Sequence, residues 1–142
     1  MKFTAQAVTE TLRLHPPMPM VTRLCTSPCV LSGTDLKFQL RNSVLIPIQC
    51  MQRDARYYPN PEKFDPERFN GPNPLTIYAF GGGPRSCPGG RFAYLAVVAG
   101  LAAMLSELEV VPSARTTPRI EYDPRSFILK NKGGIYLEFK SL

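Results

Sequence analysis

Apolar positions Phe3, Val8, Leu12 and Leu14 recur at a loosely helical spacing over residues 3–14, and His15-Pro16-Pro17 closes the pattern because proline cannot continue the turn. The spacing predicts a helix there. Three short runs rich in branched and apolar residues follow, Met20 to Cys25, Leu36 to Leu40 and Val44 to Ile48, separated by the breakers Ser32-Gly33-Thr34-Asp35 and Arg41-Asn42-Ser43. They read as short strands and a hairpin. At the second turn Asn42 is expected to take left-handed backbone angles, which asparagine tolerates. Residues 52–76 hold five prolines, Pro59, Pro61, Pro66, Pro72 and Pro74, among charged and aromatic side chains, so an irregular meander is predicted. Phe92 to Leu105 is a run of fourteen uncharged, mostly apolar residues. It is too short to cross a bilayer and, apolar on all sides, reads as a buried core helix. In the tail, Arg119 to Tyr122, Phe127 to Lys130 and Ile135 to Phe139 are expected strands, with Gly133-Gly134 turning between the last two into a terminal hairpin. The whole reads as an α+β chain.

Composition narrows the picture less than the pattern does. A chain of 142 residues with 44% hydrophobic content has the size of one ordinary domain with a usable core. The net charge is +6, yet Lys and Arg are spread along the chain with no basic run and no nucleic-acid motif, so no nucleic-acid partner is expected. Four cysteines are present, Cys25, Cys29, Cys50 and Cys87. Cys25 and Cys29 would stand about 13 Å apart on extended chain, too far for a disulfide unless Ser27-Pro28 turns. With His15 the only histidine and no Cys-x-x-Cys pair, a structural zinc site lacks its usual spacing. The thiols are expected to be reduced, which suits a cytosol-facing location.

One cysteine stands apart. Residues 80–91 read Phe-Gly-Gly-Gly-Pro-Arg-Ser-Cys-Pro-Gly-Gly-Arg and run directly into the apolar helix. At the start of a helix, free N–H groups and the positive dipole end favour a thiolate at Cys87. Gly81, Gly82, Gly83, Gly89 and Gly90 clear side chains from around the sulfur, so that backbone can approach a flat ligand. Arg85 carries a bidentate fork suited to a carboxylate, and Phe80 is placed to cover the sulfur from water. A metal with one cysteine ligand, apolar surroundings and a carboxylate-bearing cofactor is haem iron with an axial thiolate. Taken alone, the same loop is also readable as a flexible segment with a buried cysteine.

Spaced as they are, Phe80, Gly83, Arg85, Cys87 and Gly89 resemble the haem-binding signature of the cytochrome P450 family, the haem-thiolate monooxygenases. Upstream, Glu10-Thr11-Leu12-Arg13 resembles the family's Glu-x-x-Arg helix, and Phe64-Asp65-Pro66-Glu67-Arg68-Phe69 its Pro-Glu-Arg-Phe segment, in the family's order. The resemblance runs from Thr4 to Phe139 and implies the C-terminal part of a single, mainly helical domain. Its parts would be the Glu-x-x-Arg helix (1–15), a β-rich segment (16–50), the meander (51–79), the haem-ligand loop (80–90), the buried helix (91–107) and a β-hairpin tail (108–142). The preceding part of the family fold, with the helix that handles oxygen, lies outside this sequence.

The resemblance also implies roles. Cys87 would be the proximal thiolate of haem b and the catalytic residue. Phe80, Gly83 and Gly89 would shape its loop, Arg23 and Arg85 would bind haem propionates, and Glu10, Arg13 and Arg68 would form a buried structural charge network. Met18 to Val21 and Ser126-Phe127-Ile128 would edge the pocket of a lipophilic substrate. A basic face bearing Lys63, Arg85 and Arg91 would receive an acidic electron-donor reductase. Asp123-Pro-Arg-Ser-Phe-Ile-Leu and Gly133-Gly134-Ile135 are most similar to animal microsomal members, especially insect ones. The intact enzyme would then sit on the cytosolic face of the endoplasmic reticulum through an N-terminal anchor that this sequence lacks. The alternative is a noncatalytic truncated remnant, unfolded or weakly haem-binding.

Overall fold

The computed structural model describes residues 2–70 and 77–142, so Pro72 and Pro74 of the expected meander lie outside the described residues. Helix α1, Lys2–Leu14, forms where the apolar spacing predicts it and stops before Pro16. Thr9 and Thr11 return their hydroxyls to the carbonyls of Ala5 and Ala7, so neither leaves an unpaired group on the helix surface.

Strands β1 (Val21–Leu24) and β4 (Ser43–Ile46) pair antiparallel, Val21 opposite Ile46 and Arg23 opposite Val44. Nested between them, β2 (Cys29–Val30) pairs with β3 (Lys37–Phe38). Three expectations shift here. Cys29–Val30, too short to show alternation, supplies the partner strand, and the run from Leu36 shrinks to two residues. Ile48 leaves its strand and, buried, opens the single-turn helix α2, Ile48–Met51. The left-handed residue of the second turn is Arg41, at φ 68°, and not Asn42. Asn42 serves the turn differently: its amide donates to the Gln39 carbonyl and its side-chain oxygen accepts the Gln39 N–H at 2.6 Å. That reciprocal pair leaves the left-handed angle to the preceding position. All four cysteines are free thiols, and the Cys25 thiol donates to the Ser27 carbonyl.

Beyond a 3₁₀ turn at Pro66–Asn70 and another at Gly83–Arg85 comes helix α3, Gly90–Leu105. The expectation that α3 is buried is not met within this chain. Gly90 is its one buried residue, while Phe92 is 79% and Leu95 58% exposed. Only one side of the helix meets α1, through the Tyr94 hydroxyl on the Ala5 carbonyl at 2.8 Å and on Thr9 Oγ1 at 3.0 Å. Among the described residues no helix is long and apolar enough to cross a membrane.

The tail also departs from expectation. Its terminal strand, β6 (Leu137–Ser141), pairs antiparallel with β5 (Leu108–Pro112), with Val110 opposite Phe139. Arg119 to Tyr122 and Phe127 to Lys130 form no strands, only one bridge between Tyr122 and Asn131. Local side-chain bonds compete there: the Asp123 carboxylate takes the Arg125 amide and guanidinium, and Asn131 Oδ1 takes the Glu121 amide.

The core is small and carries charge at its centre. Val8, Leu14, Ile48, Tyr58 and Ala79 are buried around Glu10 and Arg13, both 0% exposed, and Gln52. Arg13 Nε reaches Glu10 Oε2 at 2.7 Å and Nη2 reaches Oε1 at 2.8 Å; its remaining donors meet the carbonyls of Gln52 and Pro61. Glu10 Oε1 also accepts the Asp65 amide at 2.9 Å and Arg68 Nε at 3.1 Å. Gln52 closes the circuit, donating to the Arg13 carbonyl and accepting the Tyr78 amide. Burial alone would raise the Glu10 carboxyl, but hydrogen bonds from Arg13, the Asp65 amide and Arg68 outweigh it and hold it below its ordinary value.

Two outcomes are expected. Arg68→Ala strands part of a buried carboxylate and should cost about 3–5 kcal/mol in urea denaturation; a loss under about 1 kcal/mol would contradict the network's weight. The stability that Glu10 supplies is present above its ordinary value of 4.5 and is lost as pH falls through the lowered folded value. Glu10→Gln should therefore flatten that acid limb in a stability-against-pH series.

Candidate functional site

The loop before α3 is bent by two left-handed glycines, Gly81 at φ 79° and Gly83 at φ 73°. Gly83 opens the 3₁₀ turn that holds Pro84 and Arg85, and the Ser86 amide donates back to its carbonyl at 3.0 Å. The Cys87 amide then donates to the Phe80 carbonyl at 2.8 Å, so chain seven residues apart is pinned together. That amide is therefore spent on the loop and not on the sulfur. Gly89 caps α3, whose first turn is closed by the Ala93 amide on the Gly89 carbonyl.

Phe80 does not cover the thiol. Its ring lies on the start of α3, where a Cβ at Gly90 would come within 3.0 Å of Phe80 Cγ, and Cys87 stays exposed. Phe80 also lines an apolar cleft of about 350 Å³ between α1 and α3, shared with Val8, Leu12, Tyr94 and Val97. Gly90 is thus a packing glycine. Gly89 is not: a Cβ there would meet nothing within 4 Å and its φ is an ordinary −85°.

Arg23 on β1 and Arg85 on the loop, 62 positions apart in sequence, line one concave site of about 480 Å³ together with Cys87, Pro84, Ser86 and Pro88. Among the described residues neither arginine pairs with a carboxylate; Arg23 donates only to the neighbouring Thr22 carbonyl. Two uncompensated cations beside a free thiol suit a ligand that brings its own anions and a thiophilic metal. The donor set fits haem, with one sulfur for the iron and two guanidiniums for carboxylates.

The sequence reading brought Arg23, Arg85 and Cys87 to one site, and the structure groups them. Phe80, Gly83 and Gly89 shape the loop from outside that lining. Glu10, Arg13 and Arg68 stand together in the core, away from the concavity. Gln52, the fourth member of the core network, was missed, because a lone glutamine in a proline-broken stretch has no periodicity to betray it. Pro84, Ser86 and Pro88, within the loop beside Cys87, were not singled out as lining residues because the chemistry of the loop was read from its thiol, its cation and its glycines.

Comparison with known proteins gives these residues a context. The family model for Cytochrome P450 matches residues 1–139. Among curated proteins, Cytochrome P450 6k1 of Blattella germanica is 41% identical over 144 residues, covering 98% of this chain and 28% of the relative. Probable cytochrome P450 6t1 of Drosophila melanogaster is 38% identical over 151 residues, covering 96% of this chain and 28% of that protein. Cytochrome P450 6j1 of Blattella germanica is 39% identical, with the same 28% share. The chain therefore spans under a third of the length of these relatives. Its ordered motifs, its thiol-bearing loop and the match along nearly its whole length agree: the chain belongs to the cytochrome P450 family.

Proposed function

We propose that this chain is the C-terminal, haem-binding part of a haem-thiolate monooxygenase that oxidises a lipophilic small molecule with O2 and electrons from a reductase. The carrying observation is the single concavity in which the free Cys87 thiol meets Arg23 and Arg85 with no carboxylate pairing either cation among the described residues. In this reading Cys87 would ligate the iron of haem b, and the two guanidiniums would hold its propionates. Haem so ligated supplies oxygen activation for insertion into a C–H bond.

The chain's own part is binding and orientation. Gly89, free of any steric need within the chain, leaves room for a flat ring at the thiol. The Cys87 amide on Phe80 and the Phe80 ring on α3 fix where the sulfur stands. Glu10, Arg13 and Arg68 act structurally, holding α1 and the meander behind the loop. Phe127 and Ile128, both exposed, would edge the substrate with residues 18–21. Lys63 and Arg91 would meet an acidic reductase, Arg85 being spent on a propionate, with docking that weakens in salt. Placement of the intact enzyme on the endoplasmic reticulum belongs to the same proposal, by analogy with animal microsomal members.

A second reading has an observation of its own. The wide apolar exposure of α3 favours the view that these 142 residues alone are a noncatalytic remnant, unfolded or weakly haem-binding. The carbon-monoxide difference spectrum of the chain reconstituted with haem, beside a version extended at its N-terminus, separates the two. Thiolate-type absorption is expected in the extended version; its absence there would overturn the proposal.

Cys87→Ala should abolish that absorption, and its persistence would exclude Cys87 as the ligand. Arg23→Leu and Arg85→Leu should each weaken haem retention roughly tenfold in transfer to an apo-acceptor, the scale of one charge-assisted hydrogen bond. Retention equal to the parent would remove them from the site.

A further inference from the structure

Residues 122–131 form a loop closed on itself. The Asp123 amide donates to the Lys130 carbonyl, the Lys132 amide to the Glu121 carbonyl, and Tyr122 bridges Asn131. Its tip bears Phe127, 79% exposed, and Ile128. Asn131 bonds only the loop's own flanks, Glu121 and Gly134, and among the described residues the hydrogen bonds to more distant chain are made by Tyr122 and Leu129. The Leu129 amide donates to the Pro17 carbonyl at 2.9 Å. The Tyr122 hydroxyl lies 2.6 Å from His15 Nδ1, the two rings tilted at 58°, and accepts a longer bond from Gln49 Nε2 at 3.4 Å.

These bonds have a direction. Gln49 Nε2 can only donate, so the Tyr122 oxygen accepts from it; toward a neutral His15 that carries its proton on Nε2, the hydroxyl donates to Nδ1. His15 follows the last residue of α1 and precedes Pro16-Pro17, so it stands at the root of segment 18–21. Gln49 belongs to α2, and its backbone amide donates to the Pro19 carbonyl at 2.9 Å. The Tyr122 hydroxyl and the Leu129 amide thus tie the tail loop to the strip of chain that leaves α1, and the hydroxyl is the one side-chain tie.

We propose that His15 and Tyr122 are positioning residues: their hydrogen bond latches the 122–131 loop against residues 15–19 and so sets where Phe127 and Ile128 stand relative to segment 18–21. The role in substrate fit rests on the reading above, in which these two segments border the substrate; the latch itself rests on the bonds alone.

The latch is also pH-dependent. Charged and titratable groups facing His15 are Arg13 on α1, Arg53 after α2, Glu62 in the meander, and Arg119 and Tyr122 on the tail. Burial, then Arg53 and Arg13, hold the imidazole below its ordinary 6.5, with Glu62 opposing. Opening the loop would rehydrate the imidazole and relieve part of that burial, so in this proposal the open form takes up a proton more readily and the latch weakens as pH falls from 6.5 through the lowered value. The acid limb assigned to Glu10 begins lower, at 4.5, and is separate.

The test compares the parent with Tyr122→Phe, His15→Leu and His15→Asn, whose amide can stand where Nδ1 does. One readout is hydrogen–deuterium exchange across residues 122–131, which needs no haem. The other is the spectral titration of the haem-loaded protein, extended as above, with 1-phenylimidazole. Tyr122→Phe and His15→Leu are expected to raise loop exchange about fivefold, the scale of one net hydrogen bond, and to shift probe affinity with the thiolate spectrum unchanged. His15→Asn should restore both, and the parent's own loop exchange should rise between pH 7.5 and pH 5.5 beyond its intrinsic pH dependence. Unaltered exchange in Tyr122→Phe, or an Asn variant no better than Leu, overturns the latch. Altered exchange with unaltered probe affinity overturns the positioning role. If Tyr122→Phe does not fold, the His15 pair and the parent's pH series still decide. Failure of the parent to take up haem counts against the proposed function, while the exchange arm still scores the latch.

Discussion

The Glu10 carboxylate is the constraint on which the rest of this structure depends. A fully buried carboxylate costs several kcal/mol in lost hydration unless its lone pairs are met, and here they are met by Arg13, Arg68 and the Asp65 amide. Those partners come from α1 and from the irregular chain after α2. Satisfying one group therefore fixes the path of a segment that has little secondary structure of its own. The 3₁₀ turn at Pro66–Asn70 and the carbonyls of Pro59, Pro61 and Gln52 take their places around the two guanidiniums. In a chain with few buried apolar side chains, this network does what a larger hydrophobic core does elsewhere.

From that centre the geometry passes outward to the thiol. The network anchors α1, α1 holds α3 through Tyr94 on Ala5 and Thr9, and α3 holds Phe80 through the space left at Gly90. Phe80 in turn receives the Cys87 amide. The sulfur thus stands at the end of a relay of short hydrogen bonds joined by one apolar contact, the Phe80 ring on Gly90. This explains why residues remote from the thiol, such as Arg68, matter structurally while touching nothing in the concave site.

Apolar surface is distributed in the opposite sense. α3 is uncharged from Phe92 onward, yet most of its circumference faces solvent, and the loop tip at Phe127 does the same. For a chain that spans under a third of its relatives' length, such exposure accords with a helix whose covering elements lie elsewhere in the family's domain. The all-round apolar sequence of α3 was legible as a buried helix because composition reports the environment a helix was selected for. The environment itself depends on neighbours that periodicity cannot supply.

What the sequence by itself determined were the features that arise from sterics within a few residues. Pro16 ends α1, glycines at 81 and 83 admit left-handed turns, and an uninterrupted apolar run makes α3. The spacing from Phe80 to Gly89 also sufficed to identify the thiol loop, since its members are close neighbours in the chain. The tertiary structure alone decided the non-local matters. Arg41, not Asn42, takes the left-handed angle because Asn42 is engaged with Gln39 on both its amide and its side chain. β6 pairs with Leu108–Pro112 because Asp123 and Asn131 spend their side chains on nearby amides and remove the closer strands from competition. Gln52 joins Arg13 only once buried hydrogen bonding brings distant chain together, a condition on the whole fold that no local pattern records.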